Sequence, residues 1–164
     1  MLRTFGPAVE RLARAYEADP DGCRDLLQDI HLAIWRSLDT FDRRCSLRTW
    51  VYRVAHNTAA SHVTRQMRFR RREFVTLDEL DGAPANHGET AQALDRRVAA
   101  ARLRELIQQL APLDRQIMIG YLEGMEADAI GELTGLSHGA VAMKVYRVKR
   151  LLARRFHGGT ADGR

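Results

Sequence analysis

Glu126-Ala-Asp-Ala-Ile-Gly-Glu-Leu-Thr-Gly-Leu-Ser-His-Gly-Ala-Val-Ala-Met-Lys-Val-Tyr-Arg147 reads as a short helix, a tight turn and a second helix. Ile130 and Leu133 are the inward residues of the first helix. Gly135 supplies the positive φ that a tight turn wants. Leu136 plugs the angle between the helices, and Ser137 is placed to cap the second one. That second helix sets Val141, Val145, Val148 and Leu152 on one face and Ala142, Met143, Tyr146, Lys149 and Arg150 on the other. A helix held this way can enter a major groove. A plain helical hairpin with a glycine turn shares the spacing. The cations favour the first reading: Lys144, Arg147, Lys149, Arg150, Arg154 and Arg155 crowd one helix, and few acids interleave with them.

Outward from this unit, apolar residues recur at helical spacing and no period-two strand is convincing. Leu103, Leu106, Ile107 and Leu110 form a stripe, Pro112 restarts the chain, and Ile117, Met118, Tyr121 and Leu122 follow. Nearer the N-terminus, Pro7 to Ala18 reads as a helix that stops near Asp19-Pro20-Asp21-Gly22. Leu27, Ile30, Ile34 and Leu38 make the next stripe. Leu47, Trp50, Val51, Val54 and Thr58 make another, with Ser46 as its N-cap. Glu73 to Thr90 carries five acids, no Lys or Arg, and Gly82, Pro84 and Gly88, which is the composition of a linker. The expected fold is all-α: a helical block at 1–72, a flexible acidic linker at 73–93, a second helical block at 94–157 and a frayed tail at 158–164.

The net charge of +5 on 164 residues favours a polyanionic partner. No apolar run approaches membrane-spanning length and no signal-peptide pattern opens the chain, so membrane insertion is not expected and a cytoplasmic location is. Cys23 and Cys45, the two cysteines, are expected to be free thiols without a redox role. His31, His56, His62, His87, His138 and His157 are scattered, and no metal-ligand spacing or glycine-rich phosphate loop accompanies them. Neither an enzyme nor a cofactor or metal site is therefore expected.

Three segments of the N-terminal block carry a resemblance. They are Asp25-Leu-Leu-Gln-Asp29, the run from Phe41-Asp42 through Ser46-Leu47 to Thr49-Trp-Val-Tyr-Arg-Val-Ala-His-Asn57, and a basic end at Arg65, Arg68, Arg70, Arg71 and Arg72. Together they resemble region two of the extracytoplasmic-function (ECF) sigma factors of the sigma-70 family. Leu103 to Phe156 is similar to region four. The resemblance implies a non-enzymatic subunit that docks on core RNA polymerase and directs promoter recognition and DNA melting. It implies that Asp25, Gln28, Asp29 and Arg36 meet the clamp helices of the largest polymerase subunit, with the flap as a second contact. It implies that Phe41, Asp42, Ser46, Tyr52, Arg53, His56, Asn57 and Arg65 meet the −10 element. It assigns Ser137, His138, Ala142, Met143, Lys144, Tyr146, Arg147, Lys149 and Arg150 to −35 DNA. An anti-sigma factor is a further implied partner. Ala142 and Met143 depart from the basic or serine pair usual in the family, so base reading there is expected to be differently specified. The chain before Gly6-Pro7 is also shorter than the family's first helix. A helix-turn-helix regulator with a separate N-terminal domain remains the alternative; it leaves the Asp25/Gln28/Asp29 face unexplained.

Overall fold

The computed structural model describes residues 2–67, 76–82 and 96–156. Among them every regular element is helical: α1 (Leu2–Tyr16), α2 (Pro20–Arg36), a 3-10 turn (Leu38–Thr40), α3 (Leu47–Met67), α4 (Leu77–Gly82), α5 (Arg96–Gln109), α6 (Pro112–Leu122), α7 (Ala127–Thr134) and α8 (His138–Phe156). Arg68 to Arg72, the greater part of the acidic stretch and the expected tail from Gly158 lie outside the described residues.

Local chemistry accounts for most of the boundaries. Asp19 caps α2 by accepting from the Gly22 N–H, and Pro20 stands in the first turn, where its missing N–H costs nothing. Ser46 caps α3 by accepting from the Thr49 N–H at 3.0 Å. Gly135, at φ 74°, ends α7 in the left-handed region, as its place in the turn requires. A Cβ on Gly131 would stand 2.9 Å from the Leu136 carbonyl, so only glycine lets the turn fold back this closely. The start of α1 differs from expectation: the helix begins at Leu2 and runs through Pro7, which forfeits one backbone hydrogen bond there.

α1, α2 and α3 pack as an N-terminal bundle, and α4 and α6 pack on the turn-linked pair α7 and α8, with α5 against α6. The buried stripe of α2 is Leu26, Ile30 and Ile34, a strict fourfold spacing, while Leu27 is only half-buried and Leu38 is exposed. In α3 the stripe is Trp50, Val51, Ala55, Ala59 and Val63; Leu47 faces water. In α8, Leu151 takes the fully buried place expected of Leu152.

Two features add to the expected architecture. Residues 77–82, within the stretch read as linker, form α4, which packs on α8 through the buried Leu77 and Leu80. The two blocks also pack on each other, α1 on α5 and α3 on α7. At the seam the buried Arg115 of α6 lies over the Tyr16 ring of α1, 4.8 Å from its centroid. Its guanidinium donates to the carbonyls of Gln108 and Leu110 at 2.6 and 3.0 Å. A charge this deeply placed is tolerated because carbonyls and an aromatic face surround it.

Tyr16 in turn shares a 2.9 Å hydrogen bond with Nδ1 of His56, which is 1% exposed. Burial pushes the His56 imidazole down from 6.5 to about 3. A base whose folded value is depressed stabilises the fold above its unfolded value and withdraws that support as pH falls. Urea unfolding should therefore show stability dropping from about pH 6.5 toward pH 3, by up to about 1.4 kcal/mol per unit from this one group. His56→Gln should flatten that slope, and an unchanged slope in the variant would exclude His56 as its source.

Candidate functional site

Three surfaces gather the residues singled out in the sequence. The first is the outer face of α2. Asp25, Gln28, Asp29 and Arg36 are all exposed, at spacings of three, four and seven that place them on one side of the helix. Two residues passed over in the sequence complete it: Leu32, 39% exposed, and Trp35, 73% exposed. The face is thus an acid and amide patch followed by an apolar one. A bare tryptophan is costly in water and is a frequent anchor of protein interfaces. The signal was present in the sequence, since Trp35 falls one position off the buried Leu26-Ile30-Ile34 stripe.

The second surface comprises the loop before α3 and the outer side of α3. Phe41 is half-buried and tilts against Trp50, ring centroids 5.4 Å apart. Asp42 accepts from the Arg44 backbone N–H, and Arg43 between them takes φ 62°. A bulky residue rarely adopts that conformation, and here it turns the loop outward. Asn57 and Arg65 are exposed; Arg65 approaches Asp29 at 3.8 Å. Tyr52, His56 and Arg53 are placed differently from expectation. His56 is enclosed between Tyr16 and Tyr52 and offers no surface to a DNA strand, so its place is in the core. Tyr52 is 2% exposed and its hydroxyl donates to Glu123 at 3.0 Å, while Arg53 donates to the Glu132 carbonyl at 3.0 Å. Both are occupied by the C-terminal block.

The third surface is α8. Ala142, Met143, Tyr146, Lys149 and Arg150 are exposed, as the pattern implied. Ser137 caps the helix, accepting from the Ala140 N–H at 3.3 Å, and His138 is bonded to Asp128 at 2.7 Å. α8 carries no acid of its own, and two of its cations are paired from outside the helix. Lys144 donates to Asp114 at 2.6 Å and Arg147 is paired with Asp78. These partners come from α6 and α4, so no spacing within α8 could reveal them. Asp114 is buried and also accepts the Leu77 N–H at 2.8 Å, which ties α4, α6 and α8 at one carboxylate.

Cys23 and Cys45 are free thiols. No helix among the described residues is long and apolar enough to cross a membrane.

Comparison with known proteins agrees with this layout. Residues 1–69 match the family model for sigma-70 region 2, and residues 100–152 match that for sigma-70 region 4. The RNA polymerase sigma factor CnrH of Cupriavidus metallidurans is 24% identical over 158 residues, covering 93% of this chain and 83% of that protein. The ECF RNA polymerase sigma-E factor of Escherichia coli is 28% identical over 123 residues, or 72% of this chain and 59% of that one. Two solved structures share the fold. CnrH in complex with the cytosolic domain of CnrY superposes with a TM-score of 0.66 at 21% identity, over 97% of this chain and 86% of that one. The sigma factor RpoE of Bartonella quintana, in complex with the anti-sigma factor NepR, gives 0.68 at 20% identity, over 97% and 96%.

Proposed function

Because the chain belongs to the sigma-70 family, in its ECF group, we propose that it docks on core RNA polymerase through α2 and directs initiation with α3 and α8. It is a sigma factor, and it acts by binding rather than by catalysis. The observation that carries the docking assignment is the exposed face of α2, where Asp25, Gln28 and Asp29 lead into Trp35. An acidic and amide patch suits an arginine-bearing helix, and a solvent-bare tryptophan beside it needs an apolar partner. A self-sufficient DNA-binding regulator would have no use for this surface.

On this reading the Phe41 to Ser46 loop and Asn57 hold an unstacked base of the −10 element, and α8 reads −35 duplex. Strand opening is then driven by binding energy, since capture of the single strand offsets unpairing. Tyr52 and Arg53 can join the −10 contact only after they leave Glu123 and the Glu132 carbonyl. The packed arrangement is in this sense a resting one.

An anti-sigma factor is the further partner we propose. A cleft of about 570 Å³ between α1 and the α5–α6 pair is lined by Leu103, Ile107, Ile119 and Leu122. Arg11, Arg14 and Arg104 line it as well, the first two paired with Glu123 and Glu10, and the acids of a docking amphipathic helix would compete for these cations.

The deciding experiment is transcription in vitro with core polymerase over a randomised promoter library. Selective run-off from a subset with two conserved elements is expected. Sequence-specific DNA binding without core polymerase, and no polymerase retained on the tagged chain, would favour the stand-alone regulator instead.

A further inference from the structure

The exposed face of the first turns of α8 is apolar. Gly139, Ala142, Met143 and Tyr146 recur at spacings of three and four, and all four are exposed, Met143 and Tyr146 at 56% each. The polar side chains around that face are engaged within the protein. Ser137 caps its own helix, His138 is bonded to Asp128, Lys144 to Asp114 and Arg147 to Asp78. The fold does not demand the small residue at Gly139, because a Cβ there would meet nothing within 4 Å. Its smallness leaves room for something outside the chain.

We infer that Met143, with Ala142 beside it, reads the 5-methyl groups of thymines in the upstream promoter element. The inference rests on α8 being the −35 reader and adds what it reads. Residues at the N-terminal end of a recognition helix meet the base edges. In the major groove, guanine is selected by Arg or Lys and adenine by Asn or Gln, through paired hydrogen bonds. A thioether and a methyl group can make neither. The feature of the groove that rewards an apolar side chain is the thymine methyl. Lys149 and Arg150 follow about two turns after Met143, beside the rings of Tyr121 and Tyr146 at 5.6 and 5.9 Å, and suit the phosphates that flank such a site. Net positive charge then supplies affinity, and the Met143 face supplies the sequence preference.

The test uses the full chain bound to core polymerase on a promoter selected from the library. Each upstream thymine is replaced in turn by deoxyuridine, which removes only the methyl group. At one or two positions binding should weaken by about fourfold, the worth of one methyl group taken out of water. Met143→Ala should bind thymine and uracil promoters alike, and Met143→Leu should keep the discrimination. Met143→Gln should move the preference at that position toward adenine. Indifference of the wild-type chain to every uracil, or selection of an upstream element without thymine, would overturn methyl reading. Failure of the underlying assignment looks different: upstream DNA would then be unprotected in a footprint, and Lys149→Ala would leave promoter binding unchanged.

Discussion

Replacing Trp35 with alanine should weaken binding to core polymerase by about 30-fold or more, the range of an interface anchor worth at least 2 kcal/mol. The argument begins with exposure. Trp35 is 73% exposed, and its helix buries Leu26, Ile30 and Ile34 on the opposite side. Truncating it removes little internal packing, so the melting temperature should hardly change. Asp25→Arg combined with Asp29→Arg should add a larger loss, because it turns an attractive charge pair into a repulsive one. The fold should survive that change too. Asp25 and Asp29 are exposed, and the ion pair of Asp29 with Arg65, at 3.8 Å, is a surface contact of small worth. The measurement is competition for core polymerase by fluorescence anisotropy, with circular dichroism of each variant. Folded variants that compete as well as wild type would remove α2 from the docking surface.

The sequence was most legible where a rule acts within a few residues. The α7–α8 turn is such a place, since Gly135 is needed for its φ and Ile130, Leu133 and Val141 are needed for the core beneath it. The caps at Asp19 and Ser46 are others, although the first was read only as a stop. α4 was masked by its acidic composition. It carries a legible signal all the same, a capping box in which Thr76 and Glu79 bond each other's backbone N–H groups. The spacing of Leu77 and Leu80 then fits one buried edge. Trp35 was missed because attention to the buried stripe passes over the residue beside it. The seam between the blocks had no local signature. Arg11 and Glu123 are 112 positions apart, and Tyr52 looks the same in sequence whether it meets a base or a carboxylate. What covers an aromatic is settled by packing across the whole chain, and periodicity does not carry that information.

Glu123→Lys should shift the molecule from the packed arrangement to an open one. The Glu123 carboxylate accepts from Nε and one Nη of Arg11 at 2.6 and 2.7 Å and from the Tyr52 hydroxyl at 3.0 Å, and its backbone carbonyl accepts from Arg48. The side chain of Glu123 is 13% exposed and that of Arg11 is 60%, so solvent screens one end of the pair and its worth is modest. The hydrogen bonds from Arg11 hold the Glu123 carboxyl below its ordinary 4.5. Its contribution is therefore present above that value and is lost as pH falls through the lower folded one. Lysine in its place removes all three carboxylate hydrogen bonds and sets a third cation beside Arg11 and Arg48. A loss of about 2–3 kcal/mol from these terms would move the closed-to-open ratio by about 30- to 150-fold. Small-angle scattering should then show a larger radius of gyration, and Tyr52 should become accessible to nitration. Promoter opening by the holoenzyme should quicken, because Tyr52 and Arg53 no longer have to be uncovered first. Glu123→Gln, which can still accept from Tyr52, should fall between the two. Wild-type scattering and an unchanged rate of promoter opening in Glu123→Lys would place the hold elsewhere along the seam. Arg115 over Tyr16 would be the contact to break next, with Arg115→Met as the variant that keeps an unbranched apolar stem and loses the guanidinium.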